Sequence, residues 1–128
     1  MERFVNILII DSDLTVQNGL KSILLGSGNN ILIADTVPEA MPILQQKAIG
    51  IILVNMEDYS NQLDLLNEMR SKSLLDNTYI ILINKEETAV KLVKGLKYGA
   101  VDFISYPFNP NLIRTKIEVF KTLYFKDQ

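Results

Sequence analysis

At 128 residues, with 48% hydrophobic and 22% charged side chains, the chain is long enough to bury one core without staples and ordinary in its surface charge. Its formal net charge of −2 gives no grounds for binding nucleic acid or an anionic membrane. Cysteine and histidine are both absent, which excludes disulfides and thiolate chemistry and removes the commonest general base and zinc ligand.

The start, MERFVNILIIDSD, carries an apolar run that ends at Asp11, too short for a signal peptide or a membrane span. A soluble, cytoplasmic domain is expected. Val5–Ile10 is short and nearly unbroken in Ile, Leu and Val, as a strand buried on both faces is. Leu14–Leu25 follows with Leu20, Ile23 and Leu24 on one side at helical spacing, and a second apolar run is Ile31–Ala34. Thr36-Val37-Pro38-Glu39 has the spacing of a capping box, with Thr36 as N-cap and Glu39 three residues on. Pro42 is late for a first turn, so this second helix is expected to be shifted or locally distorted. The third strand is Ile51–Val54, and Leu63–Lys72 then repeats Leu63, Leu66 and Met69 or Arg70 along one helical face. Tyr79–Ile83 is the fourth strand. Glu86–Tyr98 is the fourth helix, with Ala89, Val90, Val93 and Leu96 toward the sheet and Gly99 as C-cap. The fifth strand is Val101–Ile104, and the last helix opens at Asn109-Pro110, a side-chain cap and a proline at the first helical position.

Strands regularly separated by helices require crossover connections, hence a parallel sheet covered on both faces. The expectation is a single doubly wound α/β domain, (βα)₅, over residues 1–128, without internal repeats. In the last helix Ile113, Ile117, Phe120 and Tyr124 form one apolar stripe, and Leu112, Val119 and Leu123 form a neighbouring one. One stripe suffices to dock on a sheet. The second means a wide buried face, a partner surface, or a helix running on into a coiled coil beyond Gln128. Lys91, Lys94 and Lys97 make a stripe on the fourth helix that is either solvated or a docking face.

Loops at the carboxyl ends of parallel strands form the binding crevice. They supply Asp11, Ser12 and Asp13, then Asn55, Glu57 and Asp58, then Asn84 and Lys85, and finally Tyr106-Pro107. Carboxylates so grouped suit a hard cation such as Mg²⁺. Asp11 and Asp13 read equally well as a strand end and a helix N-terminal charge. No glycine-rich phosphate loop accompanies them.

The order and spacing of ILIIDSD (7–13), IILVNMED (51–58), IILIN (80–84), GLKYGAVDFISYPF (95–108) and NPNLIRTKIEVF (109–120) resemble the receiver domain of bacterial response regulators over essentially the whole chain. The pattern GxxxGAxDxxxxPF is the most specific piece. The resemblance implies a flavodoxin-like five-stranded sheet of order 2-1-3-4-5. It also implies a phosphorylation site: two adjacent acids that hold Mg²⁺, an aspartate that accepts a phosphoryl group from a histidine kinase, a Thr or Ser, and a lysine before the last proline. Position by position, the first acid is Asp11, the second is Ser12, the acceptor is Asn55, the Thr/Ser position is Asn84 and the lysine position is Tyr106. Asp13 comes one position late, with its side chain expected to point elsewhere. Glu57 matches the position that gives a metal its backbone carbonyl, so Asp11, Asp13 and the Glu57 backbone are weak metal candidates. Beyond weak Mg²⁺ binding, no cofactor is expected. In the loop after Glu57, Tyr59 stands where proline is usual. The family's switch aromatic is matched by Phe103, partner to Asn84. Tyr106 is expected to cover the crevice, with its hydroxyl near water or Asp11, and Lys85 is expected to be an exposed loop charge. The Tyr106-Pro107 bond resembles one that is commonly cis, and the sequence leaves its isomer open.

An amide is a poor nucleophile where a carboxylate is needed. Mg²⁺ would lose the charge of two ligands, and a phosphoryl group its cationic partner. The expectation is a phosphorylation-independent receiver without enzyme activity, acting as a protein–protein interaction or regulatory module, an N-terminal or internal domain of a longer signalling protein. A protein partner, or a second copy, would dock on the fourth helix, last strand and last helix, through Lys91, Lys94, Leu112, Val119 and Leu123. Two alternatives stay open: a phosphorelay receiver using Asp58 or Asp13 as substitute acceptor, and a small-molecule sensor using the vacated crevice.

Overall fold

A computed structural model describes residues 4–55, 60–85, 96–97 and 99–127, without the side chains of 60–63 and 65–66. Glu57, Asp58, Tyr59, Ala89, Val90, Lys91, Val93 and Lys94 lie outside the described residues, as do the side chains of Leu63 and Leu66. Five strands, β1 (Val5–Ile10), β2 (Asn29–Ala34), β3 (Ile51–Asn55), β4 (Tyr79–Asn84) and β5 (Asp102–Ser105), form one sheet in the order β2-β1-β3-β4-β5. Every pairing is parallel, with Ile7 opposite both Ile31 and Ile51, Ile51 opposite Tyr79, and Ile81 opposite Asp102. The flanking helices are α1 (Leu14–Leu24), α2 (Val37–Gln46), α3 (Ser60–Ser71) and α4 (Pro110–Lys126). This is the doubly wound, flavodoxin-like α/β fold that the alternating pattern requires.

Side chains alternate across a strand, so the unbroken apolar runs serve two cores at once. On one face Leu8, Ile10, Ile52, Val54, Ile80 and Leu82 pack with Val37, Ala40 and Leu44 of α2 and Met69 of α3. On the other, Ile7, Ile9, Ile51, Leu53, Ile81 and Ile83 pack with Val16, Leu20 and Leu24 of α1 and Ile113 and Ile117 of α4. The second apolar stripe of α4 is not part of either core: Leu112, Val119 and Leu123 are 52%, 52% and 40% exposed. A wide buried face is therefore not what this helix makes.

Helix ends follow their local chemistry. Thr36 caps α2 by accepting from the Glu39 N–H, while the Glu39 carboxylate accepts from Asp35 N–H at 3.1 Å, one residue earlier than in the usual box. Of the two outcomes expected, the shift does not occur: α2 runs through Pro42. Pro38 and Pro42 are both exposed, four residues apart on the side of the helix away from the core. The C-terminal carbonyls of α1 are closed from outside the helix. Arg114 Nε donates to Ile23 O at 3.0 Å and Asn29 Nδ2 to Leu24 O at 2.9 Å, and buried Lys121 reaches Ser27 O in the following turn. Gly99 has φ +96, and its N–H bonds to Leu96 O at 3.1 Å, the reversal expected of a C-cap. Leu96 itself is 45% exposed rather than packed on the sheet; Arg70 approaches the backbone at Gly99, and Ala100 takes the buried place. Among the described residues no helix is long and apolar enough to cross a membrane.

Candidate functional site at the carboxyl edge of the sheet

The central strands deliver the candidate residues to one edge. Ile10 pairs with Val54, so Asp11 and Asn55 stand side by side, one residue further along β1 and β3. Asn55 pairs with Ile83, which puts Asn84 at the same edge of β4, and Asn84 lies opposite Ser105 of β5, next to Tyr106. The Asn84 carbonyl accepts from Tyr106 N–H at 2.9 Å, and the Tyr106-Pro107 peptide is cis. Asp11 and Asn84 are buried, Asn55 is half-buried and Ser12 is exposed.

Asp11 is held from several sides. Its backbone N–H extends the ladder to Ala34 O, and its carbonyl accepts from the Gln17 amide, which also donates to Asp35 Oδ1 at 2.9 Å. Its Oδ1 accepts from Asp13 N–H at 2.8 Å, the local turn that aspartate favours after a strand. Asp13 is the N-cap of α1: its Oδ1 takes the Thr15 N–H at 2.8 Å and the Val16 N–H at 3.4 Å. The Thr15 N–H, followed by that of Val16 and by the charge of Lys85, holds the Asp13 carboxyl below the usual carboxylate range against an opposing contribution from desolvation.

Lys85 corrects the sequence reading. Its side chain is only 15% exposed, and its Nζ lies 3.4 Å from Asp11 Oδ1 and 3.5 Å from Asp13 Oδ2. The reason is the Asp11 carboxylate, whose side chain is 0% exposed and which a cation must balance once Tyr106 occupies the expected lysine position. Asp13 is likewise not turned wholly away: one oxygen serves the helix and the other faces Lys85. The signal was present in the topology. β1 and β4 both flank β3, so their ends are about 10 Å apart at normal strand spacing, within reach of a lysine.

Tyr106 is 41% exposed, its ring sits edge-on to Phe108 with centroids 5.2 Å apart, and the groups that meet Asp11 Oδ1 are Asp13 N–H and Lys85. Phe103 is half-buried against the core beside Leu82. Lys116 of α4, which sequence reasoning missed, places Nζ 5.1 Å from the Phe103 ring centre and donates to Phe103 O at 2.8 Å and Asp102 Oδ1 at 3.2 Å. Only the fold brings residues fourteen apart into this clamp.

These residues do not fit a divalent cation. Ser12 and Asn55 are neutral, Asp13 is committed to its helix, and an ammonium already sits against Asp11 Oδ1. One carboxylate oxygen, Asp11 Oδ2, is buried without a hydrogen-bond partner among the described residues. A hard cation that wants several oxygens in regular geometry finds too few among the described residues.

Comparison with known proteins agrees with the fold. The family model of the response regulator receiver domain matches residues 7–118. The chain is 30% identical over 106 residues to the aerobic respiration control protein ArcA of Escherichia coli K12, covering 82% of this chain and 43% of that protein. It thus spans less than half the length of this relative. It is also 30% identical over 119 residues to the chemotaxis protein CheY1 of Helicobacter pylori, covering 90% of this chain and 95% of that one. Among solved structures, a response regulator from Thermotoga maritima superposes with a TM-score of 0.84 at 20% identity, over 91% of this chain and 97% of the other. CheY4 of Vibrio cholerae does so with a TM-score of 0.80 at 19% identity, over 91% and 98%. With its sheet order and motif segments in place, the chain belongs to the response regulator receiver domain family.

Proposed function

We propose that this receiver works without aspartyl phosphate and carries no enzyme activity, acting as a protein–protein interaction or regulatory module in two-component-type signalling. The supporting observation is the edge itself: an amide at Asn55 beside a buried Asp11 whose charge is met by Lys85. Phosphotransfer needs a carboxylate oxygen to attack phosphorus, and an amide oxygen at this position is a weak nucleophile. Ser12 and Tyr106 withhold the second metal-binding charge and the cation for phosphoryl oxygens. Asp13 is a poor substitute acceptor because both its oxygens are engaged. The exposed Leu112, Val119 and Leu123 on α4 support docking of a protein partner on that helix.

Incubation with acetyl phosphate and Mg²⁺, read by intact mass, should give no phosphoryl adduct. A beryllofluoride titration followed by amide NMR should leave residues 11–13, 55 and 84 unshifted. A stoichiometric adduct, or saturable shifts at those amides, would replace this reading by that of a phosphorelay receiver.

A further inference from the structure

We infer that the Lys85 ammonium is the resident cation of this edge, filling from the chain itself the electrostatic role that a divalent cation fills in a phosphate-accepting receiver. The inference rests on the reading of a receiver without aspartyl phosphate and adds what holds its vacated site together. Asp11 carries a carboxylate with no exposed side-chain surface, and such a group is retained only with a partner. Lys85 Nζ lies almost equally far from Asp11 Oδ1 and Asp13 Oδ2, at 3.4 and 3.5 Å, bridging the two carboxylates as a counter-ion does. The second negative charge has its own positive neighbour, because Asp13 caps α1 and receives two of its orphan N–H groups. Two carboxylates are thus met by one ammonium and one helix N-terminus, while Ser12 and Asn55 add no charge. Among the described residues the free oxygen is the buried Asp11 Oδ2, too little by itself to hold a hard dication, and the ammonium repels one. To reach β1 from β4, moreover, the lysine passes the carboxyl end of β3, where Asn55 stands.

The test uses Mg²⁺ alone on the whole chain, followed by amide NMR and thermal melting, in wild type, Lys85→Met and Lys85→Arg. Wild type should show no saturable shift at residues 11–13 in millimolar Mg²⁺. Lys85→Met should melt lower, bind Mg²⁺ about tenfold or more tighter than wild type with shifts at those amides, and regain thermal stability as it binds. Lys85→Arg, which keeps the cation, should match wild type. Equal Mg²⁺ binding by wild type and Lys85→Met, or no gain of Mg²⁺ response in Lys85→Met, overturns the inference. So does an arginine variant that behaves like the methionine one. Should Lys85→Met fail to fold even with Mg²⁺, the side-chain NH₃⁺ resonance of Lys85 in wild type decides: displacement by Mg²⁺ refutes the resident cation and indifference supports it. Labelling by acetyl phosphate would refute the phosphate-free reading alone and leave this comparison standing.

Discussion

Asp13 does two jobs that sequence numbering conceals. It is one position late for the family's acid pair, yet it caps α1 and shares Lys85 with Asp11. Because its carboxyl is held below the ordinary range, chiefly by the Thr15 N–H, its contribution to stability has a defined pH sense. A depressed folded pKa stabilises fully above the unfolded value of about 3.9, and that stabilisation disappears as pH falls through the folded value. Asp13→Asn keeps a capping oxygen but no charge. Urea melts across pH should therefore show a lower midpoint than wild type near neutrality, with an unchanged slope, and the gap should close below about pH 4. A gap of constant size in acid would mean that the charge of Asp13 contributes nothing. The neighbouring Asp11 was legible from the sequence as a strand-end acid. Its partner was missed although the expected sheet order placed Lys85 at the same edge, because a lysine in a loop reads as a solvated charge until the burial of Asp11 is known.

Elements were legible where one physical rule governed them and obscure where two competed. The strands were readable because burial on both faces leaves unbroken Ile, Leu and Val runs, and the observed spans match the apolar runs to within two residues at either end. In α4 two apolar stripes competed for the sheet, and periodicity alone could not choose between them. Geometry chose Ile113 and Ile117, which are buried, and left Val119 outside. Ile117→Ala should therefore cost about 2–5 kcal/mol, as core truncations do, whereas Val119→Ala should stay within about 0.5 kcal/mol. Equal losses in chemical denaturation would show that α4 docks by both stripes. In α2 the competition was between proline and tertiary packing, and packing prevailed, with Val37, Ala40 and Leu44 anchored in the core around Pro42. Since Pro42 is exposed and interior, Pro42→Ala restores a missing donor at no packing cost. A helix-interior proline costs about 3 kcal/mol relative to alanine, and the more flexible unfolded chain returns about 0.4–1 of that. A net stabilisation of about 2 kcal/mol is expected, seen as a raised urea midpoint; destabilisation would mean that the backbone conformation set by Pro42 is built into the packing of α2.

On the scale of the whole molecule, the sheet converts distant sequence into one charge-balanced edge. Asp11 after β1, Asn55 at the end of β3 and Lys85 after β4 are spread over 74 residues of the chain, yet the sheet brings them to one edge, where the charges of Asp11 and Lys85 meet. Restoring one member of the family's pattern need not restore its chemistry. Asn55→Asp places a third carboxyl beside buried Asp11, with Lys85 the cation already shared between Asp11 and Asp13. Like charges and partial burial raise the pKa of the new carboxyl above its unfolded value. A raised folded pKa makes the penalty absent below the unfolded value and progressively larger as pH rises past it. The variant should thus be nearly as stable as wild type near pH 4 and about 2 kcal/mol less stable near neutrality. Denaturation at the two pH values measures the difference directly. If Asn55→Asp were instead more stable at neutral pH than in acid relative to wild type, the edge would have cationic charge to spare. Lys85 would then be serving a third carboxylate as well as two, and the balance drawn from Asp11, Asp13 and Lys85 would be incomplete.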